Sequence, residues 1–142
     1  MFAVLLDQGA ALVHGFEREP SRVRLAASIC GDLSDAHFWE ADLSDWNAFE
    51  TAHSAHLRER YDIVLYLGLH HHLPAASRMI SLAGAAMRTS DWLAVRTPAS
   101  LFAADGIGEF LVNRGFSLVV NAQSDDNTSL GGSYLFRRCN QV

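Results

Sequence analysis

The sequence predicts an α/β fold: a mostly parallel sheet with helices on both faces and an antiparallel strand at its C-terminal end. Three observations predict it. Strand-like apolar runs alternate with helix-like segments of about three turns, the signature of successive βα units. The run YDIVLYLGL (61–69) is continuously aliphatic and β-branched, as a strand covered on both faces requires. The last two strand-like runs have only the polar stretch QSDDNTSLG (123–131) between them. A parallel crossover needs about a dozen residues or more, usually helical, so this final pair should be antiparallel.

The elements follow in order. FAVLLDQGA (2–10) carries Phe2, Leu5 and Leu6 and then Gly9, the residue type that commonly ends a helix in a left-handed conformation. ALVHGF (11–16) is a short apolar run. PSRVRLAASI (20–29) opens with proline and serine and sets Leu25 and Ile29 one helical turn apart. AHFWEA (36–41) is the next strand. DWNAFETAHSAHLRER (45–60) aligns Trp46, Phe49, His53 and Leu57 on one helical face, with Ser44 or Asp45 as its cap. After the 61–69 strand, AASRMISLAGAAMR (75–88) repeats Met79, Ile80, Ala83 and Met87 at helical spacing. DWLAVRT (91–97) is a strand ended by Pro98. DGIGEFLVNRG (105–115) is a helix that Asp105 caps and Gly115 stops. FSLVVNA (116–122) and GSYLFRR (132–138) complete the sheet. Nothing marks a linker, a repeat or a low-complexity segment, so residues 1–142 are expected to form a single domain.

Composition excludes several function classes. Apolar residues make up 49% and charged residues 19% of the 142 positions, the balance of a globular chain. A net charge of −5 argues against general nucleic-acid binding, which needs a basic face. No apolar stretch approaches the roughly 20 residues that span a bilayer, so no membrane partner is expected. Cys30 and Cys139 stand far apart and form no CxxC pair, which points to a reducing, cytoplasmic location rather than a disulfide framework. All 11 basic residues are arginines. Without lysine there is no Schiff base, P-loop lysine or kinase-type phosphate clamp, and no GxSxG nucleophile elbow occurs either.

Ligands of open parallel sheets bind beyond the carboxyl ends of the strands. The second segment ends in Gly15-Phe16-Glu17, where an acid can accept both hydroxyls of a ribose; a solvated acid before a helix start is the alternative. The next strand ends in WEADLSDW. There Asp42 can accept a hydrogen bond from an adenine amino group while Leu43 packs on the ring, or Asp42 is simply a turn residue. Two acids at successive strand tips weigh more than either alone. Three adjacent histidines, 70–72, diverge on one short segment and cannot share one metal ion, so no metal is expected. Either a general base or, with more weight, a hydrogen-bonding strand end accounts for them. Arg96, at the tip of the 91–97 strand, can grip an anionic group or form a surface ion pair.

With these residues in view, the chain resembles the class I S-adenosylmethionine (SAM)-dependent methyltransferases, which have a Rossmann-like three-layer sandwich. VHGFEREPSRVRLAA resembles that family's acidic second-strand end and the helix after it. FWEADLSDW is similar to its third-strand motif, YDIVLYLGLHHHLP to its fourth strand, and DWLAVRTP with the GF-led terminal hairpin to its last three strands. The resemblance implies SAM as cofactor, with Glu17 on the ribose, Asp42 and Leu43 on the adenine, and the backbone of Leu67 and Gly68 along the methionine arm. His71 and His72 fall where the family shapes its substrate pocket. No catalytic residue is implied.

The family's first strand, central in its sheet, and its glycine-rich loop would precede residue 1; no GxGxG occurs in the sequence. The chain therefore reads as N-terminally truncated, and two expectations follow. Residues 11–16 and 61–67 should pair directly, or a second copy or a strand-donating partner should fill the gap. Three functions compete: methyl transfer to a small-molecule or nucleoside nucleophile, a non-catalytic methyltransferase-like binding or assembly module, and a nicotinamide-dependent oxidoreductase.

Overall fold

The computed structural model describes residues 5, 7–30, 34–122 and 131–139. They divide into two compact units, Met1–Leu43 and Ser44–Val142.

The first unit is a β-α-β element. Strand β1 (Val13–Glu17) leads into helix α1 (Pro20–Ile29), and the chain returns as β2 (Ala36–Glu40). The two strands pair in parallel, from Val13 opposite Ala36 to Glu17 opposite Glu40. Gly15 is required by its neighbour: the Phe38 ring occupies the space a β-carbon would fill. The other face carries rings. His14 meets Trp39 edge-on at 4.9 Å, and Phe16 stacks on Trp39 at 5.3 Å. Helix α1 begins with Pro20, whose missing N–H costs nothing in the first turn. It buries no residue, and Leu25 and Ile29 stay 59% and 65% exposed. Upstream, Gly9 takes φ +92, matching the helix stop read from the sequence; residues 1–4 and 6 of that segment lie outside the described residues.

The second unit contains helix α2 (Trp46–His53), β3 (Tyr61–Leu67), a single 3-10 turn (His70–His72), α3 (Ala75–Met87), β4 (Thr89–Thr97), α4 (Ala99–Ala104), α5 (Ile107–Val112), β5 (Phe116–Ala122) and β6 (Gly132–Arg138). Its sheet has the order β3-β4-β6-β5. β3 and β4 run parallel, while β6 is antiparallel to both β4 and β5, as the short polar connection required. That connection, residues 123–130, lies outside the described residues. The core gathers one face of the sheet (Tyr66, Leu93, Val95, Tyr134 and Phe136) against Leu82, Ala85 and Ala86 of α3 and Ile107 and Leu111 of α5. From α4, Phe102 stacks on Tyr134 at 3.6 Å.

Several expectations are corrected here. Helix α2 stops at His53, short of the predicted Leu57; Asp45, not Ser44, is its cap, accepting the Ala48 N–H at 3.0 Å. In α3 the predicted stripe is only partly the buried one. Met79 packs on the core, but Ile80 and Met87 are 57% and 60% exposed. A helix apolar on most sides offers two stripes, and small residues decide between them: the Trp46 indole lies where a side chain at Gly84 would stand. β3 is not covered on both faces, because Ile63 is 50% exposed. The segment 105–115 is helical only from Ile107, and Gly106, at φ +60, rather than Asp105 occupies the cap position. Among the described residues β1 pairs with β2 and β3 with β4, and no ladder joins 11–16 to 61–67. No helix among these residues is long and apolar enough to cross a membrane.

Candidate functional site

In the first unit the ladder brings Glu17 and Asp42 to one end of the sheet. Glu17 closes β1, and its carbonyl accepts the Ala41 N–H at 2.9 Å, so the strands remain joined up to the residue before Asp42. Asp42 is exposed and Leu43 half-buried. The Glu17 carboxylate is half-buried: Oε1 accepts the Glu19 N–H at 3.0 Å, and Oε2 lies 3.9 Å from Nη1 of Arg22. A carboxylate offers about four acceptor positions, so this anchoring orients the group while leaving capacity for two hydroxyl donors.

In the second unit, Leu67 ends β3 and Gly68 follows at φ +64, a conformation that favours glycine. The Gly68 N–H donates to the Arg96 carbonyl at 3.1 Å, which ties the tips of β3 and β4 together. Arg96 itself is exposed. His71 and His72 are exposed too, their rings 3.9 Å apart. The His71 imidazole is held below its ordinary pKa, first by partial loss of solvent and then by repulsion from His72, His70 and Arg78.

His70, which sequence reasoning did not separate from its two neighbours, is the histidine that turns inward. It is fully buried, with Nε2 2.9 Å from Oδ2 of Asp105 and Nδ1 3.4 Å from the Tyr66 hydroxyl. Burial lowers its pKa more than the Asp105 carboxylate raises it, so the ring is neutral at neutral pH. Burial also pushes the Tyr66 phenol up to about 12. No spacing rule could have joined residues 35 positions apart, and Asp105 had the look of a helix cap. Among the described residues no three His, Cys, Asp or Glu side chains converge as a metal site would.

No protein-family model matches the sequence, and no curated protein does. Solved structures do match. Magnesium protoporphyrin IX methyltransferase from Synechocystis, with SAM bound, is 20% identical over 96% of this chain, with a TM-score of 0.67. An N-methyltransferase from Bradyrhizobium japonicum is 11% identical over 98%, with a TM-score of 0.68, and an rRNA methylase from Streptococcus thermophilus is 12% identical over 97%, with a TM-score of 0.66. The chain spans 64% of the length of the first of these proteins and 80% of each of the other two. The fold is therefore the Rossmann-like α/β fold of the class I SAM-dependent methyltransferases.

Proposed function

We propose that this chain binds SAM and serves methyl transfer to a nucleophile, with the protein contributing position and exclusion of water. The observation that carries the reading is the pair of carboxylates, Glu17 and Asp42, at the same end of two adjacent parallel strands. The residues fit the cofactor's polar groups. Glu17 is pre-oriented by the Glu19 N–H and keeps acceptor capacity for the ribose hydroxyls. Asp42 supplies an acceptor for the adenine amino group, and half-buried Leu43 an apolar surface for the ring. Leu67 and Gly68 offer backbone groups to the methionine arm, and no side chain at 68 stands in the way. The cofactor would supply an electrophilic sulfonium methyl, and the chain's part is to hold a nucleophile in line with it; no residue is assigned as acid or base.

His71, His72 and Arg96 are assigned to the acceptor side, where exposed imidazoles and a guanidinium suit a polar or anionic group. The matched structures are a magnesium protoporphyrin IX methyltransferase, an N-methyltransferase and an rRNA methylase, so their common fold leaves the acceptor open. A nicotinamide oxidoreductase is disfavoured by the antiparallel β6 and by the fold match to methyltransferases. A non-catalytic binding module is the competing reading.

Titration calorimetry with S-adenosylhomocysteine (SAH) decides. Binding is expected, and Glu17→Gln should weaken it about tenfold, because a charged acceptor is worth roughly 1–1.5 kcal/mol more than a neutral one. No heat at millimolar SAH would remove the cofactor reading.

A further inference from the structure

We propose that His70 is a positioning residue: by donating its Nε2–H to Asp105 and accepting from Tyr66, it holds the turn after β3 so that Leu67 and Gly68 present their backbone to the cofactor. The proposal rests on the SAM reading and adds to it the device that shapes one part of the site.

The turn has little hold of its own. Its backbone bonds are His72 N–H to the Leu69 carbonyl at 2.9 Å and Leu73 N–H to the His70 carbonyl at 3.3 Å, and no side chain caps it. Its fixing comes from a ring of contacts across the fold. His70 reaches Asp105 at the corner between α4 and α5, where the backbone is set by the Asp105 N–H to Leu101 carbonyl bond at 2.9 Å and by Gly106 at φ +60. Arg78, from α3, places Nη1 3.8 Å from the same Asp105 oxygen and donates Nε–H to the Leu73 carbonyl at 3.2 Å. Both ends of the turn, His70 and Leu73, are thus referred to one carboxylate. Tyr66, on β3 itself, closes the ring from the strand side.

The chemistry selects one tautomer. An ionised carboxylate only accepts, so Nε2 must carry the proton; in a neutral ring Nδ1 is then the acceptor that the Tyr66 hydroxyl needs. The charged and titratable groups facing the imidazole are Asp105, Arg78, Tyr66 and the adjoining His71. Because the folded pKa lies below the ordinary 6.5, the unfolded chain binds the proton more readily. The stability contributed by His70 is complete above pH 6.5 and is lost as pH falls from there through the folded pKa.

Two readouts test this on the full chain. Nitrogen shifts of the His70 ring should report the Nε2–H tautomer, titrating below the ordinary histidine value. SAH affinity, measured well below the unfolding temperature, should fall about tenfold in His70→Phe, which keeps the bulk and loses both polar contacts, and stay within about threefold in His70→Gln, which retains a donor. The pH slope of urea stability near 6 should diminish in His70→Phe. An Nδ1–H tautomer, or SAH binding by His70→Phe equal to the parent's, would overturn the proposal. A parent chain that fails to bind SAH would instead remove the cofactor reading, and the positioning role with it, while the nitrogen shifts still decide the clamp itself. If His70→Phe does not fold, Asp105→Leu against Asp105→Asn gives the same comparison from the other partner.

Discussion

The two units are stabilised differently. In the second, Leu82, Leu93, Val95, Ile107, Leu111 and Phe136 are all completely shielded, and three helices supply one continuous core. Among the described residues of the first, the buried apolar side chains are Val13, Cys30 and Ala41, and α1 buries nothing. A two-stranded ladder carrying α1 is a small apolar platform by itself. Yet this thinner unit carries the two carboxylates on which the cofactor reading depends. The proposed recognition chemistry thus sits on strand ends fixed by a short ladder, whereas the packing energy of the described residues is concentrated elsewhere.

A pair of truncations should show the largest difference between the two units. Phe136→Ala removes a fully shielded ring and should cost about 3–5 kcal/mol, whereas Ile29→Ala, on an exposed helix face, should cost under about 1 kcal/mol. Urea unfolding measures both. Equal losses would mean that α1 is buried in solution and that the contrast is false. Next in size is Gly84→Ala. The added methyl meets the Trp46 indole, and displacing it should cost roughly 1–3 kcal/mol and shift the tryptophan emission. The smallest effect belongs to Asp45→Ala, which deletes the carboxylate that caps α2 and should lower stability by about 1 kcal/mol. That loss should appear in the second unit's transition and leave SAH affinity unchanged, which separates stability from recognition once more.

Much of the fold was legible. The bounds of α1, β5 and β6 coincide with runs read directly from the sequence, because Pro20 marks a helix start and Gly115 and the GG pair at 131–132 mark strand boundaries. The antiparallel end followed from loop length alone. The α3 face was not legible, since Ile80 and Leu82 are equally apolar and only the Trp46–Gly84 approach chooses between them. At the candidate site, Glu17 and Asp42 were visible as acids at strand ends, a local property. His70 was not, because three identical side chains in a row carry no label for the one that turns inward.

What the sequence by itself determined is the order and type of elements, the antiparallel closing strand and the acids at the first two strand tips, all set by periodicity, turn chemistry and chain length acting within a few residues. The buried stripe of α3 and the convergence of His70 and Arg78 on Asp105 were set by tertiary contacts alone. Those depend on which distant surfaces meet, and burial of a polar ring is settled by the partner it finds there.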